Sequence, residues 1–127
     1  MTVYRILTGY AAVFDVPDKS GDIVRKGAFA RAAPTGIPLL WQHDPSRRIG
    51  FVERLIEDNQ GLHVTALVED ERAELCQSNK GLSFGYRVRA KKVQEYRELT
   101  DLDLIEVSVV THPAQPLARI LKVCSTR

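Results

Sequence analysis

The sequence holds three histidines, His43, His63 and His112, and imidazole is the side chain best suited to take and return a proton near neutral pH. His43 closes the apolar run Leu39-Leu40-Trp41 and stands directly before Asp44-Pro45. Such a junction projects a side chain from a rigid strand into a loop, where reactive groups are commonly displayed. Taken alone, it is weak evidence, and a surface or hydrogen-bonded histidine is the commoner reading. His63 alternates with Leu62, Val64, Ala66 and Val68, which describes a cross-strand surface residue. His112 follows Val109-Val110 and precedes Pro113, a position suited to capping a strand end.

Ser83 and Glu106 complete the chemistry-bearing set. Ser83 lies in Gly81-Leu82-Ser83-Phe84-Gly85, which has the letters of a nucleophile elbow. That elbow runs strand, turn, helix, whereas here a helical segment precedes a strand, so the hydrolase elbow is excluded. What stays open is a nucleophile in another setting, or a small polar residue on the solvent side of a strand. Glu106 shares a strand face with Leu104, Ser108 and Val110. A carboxylate in part-apolar surroundings needs a compensating partner, and an imidazolium would be one. An edge-strand glutamate facing water is the competing reading. A metal site would need three or four converging ligands, drawn here from His43, His112, Glu106 and Asp44, and no spacing signature supports one. Walker and dinucleotide glycine patterns are absent, as is any CxxC pair.

The elements that must position these groups are mostly strands. Residues 3–14 are β-branched and aromatic, with Gly9 marking a bulge or a close backbone approach. Residues 15–22 read as a loop, 27–33 as one or two helical turns stopped before Pro34, and 37–43 as a short strand. Residues 49–57 and 61–69 flank Asp58-Asn59-Gln60 as a hairpin. Residues 69–79 are the best helix candidate, although Ala73, Leu75 and Cys76 make a weak apolar face; Lys80-Gly81 supplies a stop. Over 82–94, Leu82, Phe84, Tyr86 and Val88 alternate with Ser83, Gly85, Arg87 and Arg89. Residues 96–99 and 103–111 pair as a further hairpin around Thr100-Asp101. The sum is a mainly β barrel or sandwich of about seven strands with one or two short helices.

Composition bounds the rest. A chain of 127 residues is expected to form one domain, 1–127, with a core of its own. Eighteen basic residues against sixteen acidic leave a net charge of +2, too balanced for a nucleic-acid partner. No run approaches the ~20 apolar residues of a membrane span, and the first residues lack the apolar stretch of a secretory leader. Cys76 and Cys124 make no disulfide framework, which suits a reducing compartment.

Five blocks then carry a resemblance. They are GYAAVFDVPDKSGDIVRKGAFARA at 9–32, IPLLWQHDPSRRIGFV at 37–52, GLHVTALV at 61–68, GLSFGYRV at 81–88 and LIEVSVVTHPAQPLARI at 104–120. In residues and order they resemble the prohead (capsid maturation) proteases of tailed bacteriophages, which look like the herpesvirus assemblin serine proteases. The resemblance implies an assemblin-like closed β-barrel forming a single prohead protease domain, with serine endopeptidase activity on major capsid or scaffold protein. It places the catalytic histidine at His43 and the nucleophile at Ser83. For the third member it points to the acidic residue of the phage branch, Glu106, where herpesvirus relatives use a second histidine. By family position, backbone N–H groups near Pro113-Ala114-Gln115, Ala114 foremost, would form the oxyanion hole. The pattern departs from the family at His112, where an aromatic residue is usual, and at Gln115, where asparagine is usual.

No cofactor, metal, nucleic-acid partner or membrane partner is expected, and the resemblance further implies self-association as a homodimer or higher oligomer and action in the bacterial host cytoplasm inside the immature capsid. Two rivals stand beside it. One is a non-catalytic barrel acting as an assembly adaptor. The other is a metal-dependent hydrolase built on His43, His112 and Glu106. Arg47-Arg48 reads as a solvated loop pair.

Overall fold

The computed structural model describes residues 2–33, 36–77 and 80–125. Eight strands follow in chain order: β1 Tyr4–Val13, β2 Asp22–Val24, β3 Pro38–Trp41, β4 Asp44–Glu57, β5 Gly61–Glu69, β6 Gly81–Val93, β7 Arg97–Val110 and β8 Ile120–Ser125. One 3-10 segment, Asp70–Cys76, joins β5 to β6. The strands form a single sheet in the order β2-β7-β3-β4-β5-β1-β8, with β6 paired to β7.

The expected closed barrel is not what forms. The sheet curls until the start of β6 meets the chain ahead of β8, but contact there is an isolated bridge, Gly81 to Arg119. Two backbone hydrogen bonds flank it, Leu82 N to Ala118 O at 2.9 Å and Ile120 N to Lys80 O at 3.0 Å. No ladder grows from it, because residues 113–119 are irregular and include Pro113 and Pro116, which cannot donate to one.

β7 organises the molecule. β6 runs along one of its edges, while β2 and β3 share the other and lie parallel to it. The hairpin expected around Thr100-Asp101 is therefore absent. Strand β7 continues through those residues, and β6 turns into β7 at 94–96. Bulges between Val88 and Ala90 and between Ala90 and Lys91 shift the register, so Leu99 and Leu102 are both buried although three residues apart. An alternation that breaks in this way reads as two strands in sequence.

Two strands carry no clear signal of their own. β2 is three residues long and is held by Asp22, whose buried carboxylate takes two 2.7 Å hydrogen bonds from Arg97 on β7. β8 pairs only with β1 and buries little beyond Ile120.

The region 27–33 is a series of turns rather than a helix. Its hydrogen bonds run Ala28 to Arg25, Ala30 to Gly27 and Ala32 to Phe29, and Gly27 sits at φ +95°. The helix expected over 69–79 is the 3-10 segment; Ala73 and Cys76, three apart, are its buried residues, a spacing that suits three residues per turn. Its expected end at Ser78-Asn79 lies outside the described residues. The hairpin around Asp58-Asn59-Gln60 forms as expected between β4 and β5, with Asp58 Oδ1 accepting the N–H groups of Gln60 and Gly61. Gly9 is a close approach: a Cβ there would meet Arg119, Leu82 and Ile120.

The core lies inside the curl and is aliphatic. Leu7, Leu39, Val64, Leu82, Leu102 and Val107 are fully buried in it. No helix among the described residues is long and apolar enough to cross a membrane.

Candidate active site

The expected strand over 37–43 stops short of its histidine. Trp41 pairs with Asp44 across a two-residue turn made of Gln42 and His43. Both have positive φ, 54° and 61°, as a type I′ hairpin requires. Asn-Gly is the usual chemistry there; Gln and His each cost on the order of 1–2 kcal/mol in that region. The surroundings hold the turn down. Gln42 N–H donates to Val109 O at 2.9 Å, and its amide clamps Thr111 through Nε2 to Oγ1 at 3.1 Å and Thr111 N to Oε1 at 3.2 Å. His43 N–H donates to Ser108 Oγ at 3.1 Å. The result folds the imidazole back over β7.

There it meets Glu106. His43 Nδ1 lies 2.5 Å from Glu106 Oε1, while Oε2 accepts a 2.5 Å hydrogen bond from Ser108 Oγ. Glu106 is 8% exposed, Ser108 is fully buried, and the imidazole is 44% exposed. A carboxylate oxygen accepts, so the contact places a proton on Nδ1 and leaves Nε2 as the nitrogen that can take another. The glutamate raises the His43 pKa above the ordinary imidazole value, first through that hydrogen bond and then through its charge, against the opposing effect of burial. Space for the carboxylate comes from β6: Gly85 stands directly across from Glu106, and a Cβ at 85 would collide with the Glu106 side chain.

Ser83 lies on the same face. It pairs with Ser108 across β6 and β7, two residues along from the Gly85–Glu106 pair, so its side chain emerges beside the histidine–glutamate contact. Of the two opposed serines, Ser83 is partly exposed, whereas Ser108 is buried and already committed to two hydrogen bonds. Among the described residues no hydrogen bond joins Ser83 Oγ to His43. Ser83 opens onto a cavity of about 90 Å³ shared with Asp18, Phe84, Tyr86, Ala114 and Gln115. Ala114 is held by its carbonyl, which accepts Lys19 N–H at 3.0 Å, and by its neighbour Gln115, whose amide bonds Val13 N at 2.8 Å and Val13 O at 2.9 Å.

The other sequence candidates lie elsewhere. Asp44 turns to Ser46, accepting its N–H at 2.9 Å and its Oγ–H at 2.7 Å; these bonds, the hydroxyl first, hold its carboxyl below the usual range. His63 packs edge-on against Tyr10, with ring centres 5.3 Å apart. His112 is exposed beyond the end of β7. Arg47 and Arg48 are exposed but lie within β4 rather than in a loop. A larger cavity of about 640 Å³, bordered by Arg5, Asp70, Cys76 and Val123, is lined by none of the histidine–glutamate–serine groups.

Sequence reasoning missed Ser108, Gly85 and the left-handed turn. The first was readable in principle, since Glu106 and Ser108 are two apart on one face. The pairing of Gly85 with Glu106 needs the register, which no local pattern supplies.

A family model described as caudovirus prohead serine protease matches residues 2–127. No curated protein sequence matches the chain. Among solved structures, KSHV protease in complex with a hexapeptide phosphonate inhibitor matches with a TM-score of 0.64 at 12% identity, covering 88% of this chain and 61% of that one. Varicella-zoster virus protease matches with a TM-score of 0.48 at 16% identity, covering 80% of this chain and 57% of that one. The chain thus spans less than two-thirds of the length of either. The KSHV likeness makes the fold assemblin-like, and the family match over nearly every residue makes the chain a member of the caudovirus prohead serine protease family.

Proposed function

We propose that the chain is a serine endopeptidase that cleaves capsid or scaffold protein during maturation of a phage or phage-like prohead, acting as a single domain through Ser83, His43 and Glu106. The observation that carries this reading is the His43–Glu106 contact on the strand face that also bears Ser83, in a chain of this family. A serine hydroxyl is a poor nucleophile without a base beside it. His43 Nε2 takes the Ser83 proton as Oγ bonds to the scissile carbonyl carbon, and Glu106 stabilises the imidazolium that results. The oxyanion is met by the Ala114 N–H, across the small cavity the two residues share. Collapse of the tetrahedral intermediate expels the amine, which receives the proton from His43. Water, deprotonated by the same imidazole, then adds to the acyl carbon; the bond from that carbon to Ser83 Oγ breaks, Oγ takes the proton back from His43, and the new carboxylate end leaves.

The substrate is the major capsid protein or scaffold of the same particle, and the place of action is the interior of the procapsid in the bacterial host. Self-association of the chain belongs to the same proposal. The test is co-expression with the cognate major capsid protein. Shortened capsid protein is expected with the wild-type chain and none with Ser83→Ala, which should fold with a stability change within roughly 0.5 kcal/mol. A chelator should leave the wild-type reaction unchanged. Normal processing by Ser83→Ala, or loss of processing with chelator and recovery with zinc, would defeat the reading.

A further inference from the structure

We infer that Ser108 is a positioning residue of this site: its hydroxyl fixes both the Glu106 carboxylate and the backbone of His43, so that the imidazole meets the glutamate in one geometry. The inference rests on the proposed protease reading and adds a residue that the Ser–His–Glu scheme does not contain. Ser108 sits near the C-terminal end of β7, flanked by Leu40 of β3 on one side and Ser83 of β6 on the other. It is fully buried, so water is not available to satisfy its hydroxyl or to compete for it.

A hydroxyl has one proton to give and lone pairs to receive. Here the proton goes to Glu106 Oε2 at 2.5 Å and a lone pair receives the His43 N–H at 3.1 Å. The remaining oxygen of the carboxylate, Oε1, faces His43 Nδ1. The three groups close a ring: hydroxyl to carboxylate, carboxylate to imidazole, and the backbone of that same histidine back to the hydroxyl. Two features make such a ring necessary. The left-handed backbone at His43 is intrinsically unfavourable and needs a fixed acceptor for its N–H. The carboxylate lies over Gly85, where no side chain restrains it.

The charged neighbours are few. Asp44, on β4, is turned to Ser46. Arg48, also on β4, borders the cavity beside Glu106 but gives its Nε–H to Gly50 O at 3.1 Å. Just ahead of β6, Lys80 lies over the Trp41 ring, 5.7 Å from its centre. Glu106 is accordingly the group that governs the imidazole.

The experiment is an NMR titration of the His43 imidazole in the whole chain, alongside peptide cleavage, for wild type, Ser108→Ala and Ser108→Cys. In Ser108→Ala the His43 midpoint should fall toward the ordinary imidazole range, because the carboxylate is no longer held against Nδ1. The kcat should drop by about 10–100-fold with KM unchanged, the scale seen when outer groups that orient a reactive ligand are removed. Ser108→Cys keeps the shape with a weaker donor and should fall between the two, which also covers the case that the alanine variant folds poorly. A wild-type midpoint in Ser108→Ala, an effect confined to KM, or a cysteine variant indistinguishable from wild type would overturn the assignment. The titration needs no substrate. Cleavage by Ser83→Ala would thus remove the protease reading while leaving the Ser108 result to stand on its own.

Discussion

At the scale of single residues, the proposed reaction depends on which form of His43 prevails. Glu106 favours the protonated imidazole, yet a general base must be neutral. Cleavage should therefore rise with pH through a midpoint above the ordinary ~6.5 and fall as pH drops through it. Stability runs the other way. A raised folded-state pKa contributes stability that is fully present below ~6.5 and is lost as pH rises through the folded value. Glu106→Gln keeps the shape and removes the charge. It should lower turnover by ~10²–10⁴-fold, by analogy with other triads whose acid is neutralised. It should also bring the His43 midpoint down, and its stability cost in denaturant should be larger at pH ~6 than at pH ~9. Asp44→Asn and His112→Phe should leave turnover near wild type, since one carboxylate is turned to Ser46 and the other side chain faces solvent. Side-by-side peptide cleavage by the three variants decides between them; a dead His112→Phe with an active Glu106→Gln would make His112 the third member.

At the scale of elements, the site is assembled by a turn and a register. The turn at Gln42-His43 swings the imidazole over β7, and the β6–β7 register puts Gly85 under the Glu106 carboxylate. Gly85→Ala adds a methyl where the Glu106 side chain now lies. Because what it meets is side chain rather than backbone, the fold should survive with an overpacking cost of about 1–3 kcal/mol. The carboxylate should leave Nδ1, so the expected outcome is a lowered pH midpoint and reduced turnover in a protein whose circular dichroism matches wild type. Unchanged turnover and pH midpoint would mean that the carboxylate tolerates a side chain there.

This scale also separates what the sequence revealed from what it hid. The β4–β5 hairpin was legible because Asp58 in Asp58-Asn59-Gln60 bonds its own turn, a local effect. The shared face of Ser83 and Gly85, and that of Glu106 and Ser108, followed from alternation alone. The left-handed turn was hidden because neither Gln42 nor His43 is a residue that prefers it; tertiary bonds to Val109, Thr111 and Ser108 impose it. The continuity of β7 through Thr100-Asp101 was hidden by two bulges, one opposite it on β6 and one in β7 at Thr100, and β2 by its dependence on pairing with β7, a strand distant in sequence whose Arg97 holds Asp22.

At the scale of the whole molecule, the decisive feature is that the sheet stops short of closing. A continuous ladder would share the load over many hydrogen bonds; here the junction rests on the two hydrogen bonds of the Gly81–Arg119 bridge. The residue after Leu82 is Ser83, on one lip of that junction, and Ala114 belongs to the chain on the other. In the proposed reaction, the gap the substrate carbonyl would occupy is thus spanned by a junction with no ladder across it. Breathing there would part the proposed nucleophile from the proposed oxyanion donor without disturbing the core. In hydrogen–deuterium exchange, the amides of Leu82 and Ile120 should trade their protons well before that of Val107, which lies in a strand paired on both edges. A serine-directed covalent inhibitor bonded to Ser83 and reaching Ala114 should slow the first two and leave the third alone. Equal exchange at all three would make the junction as firm as the ladders. In mechanical terms, the proposed reactive gap lies along an unstitched seam, and occupancy of the gap would do the stitching.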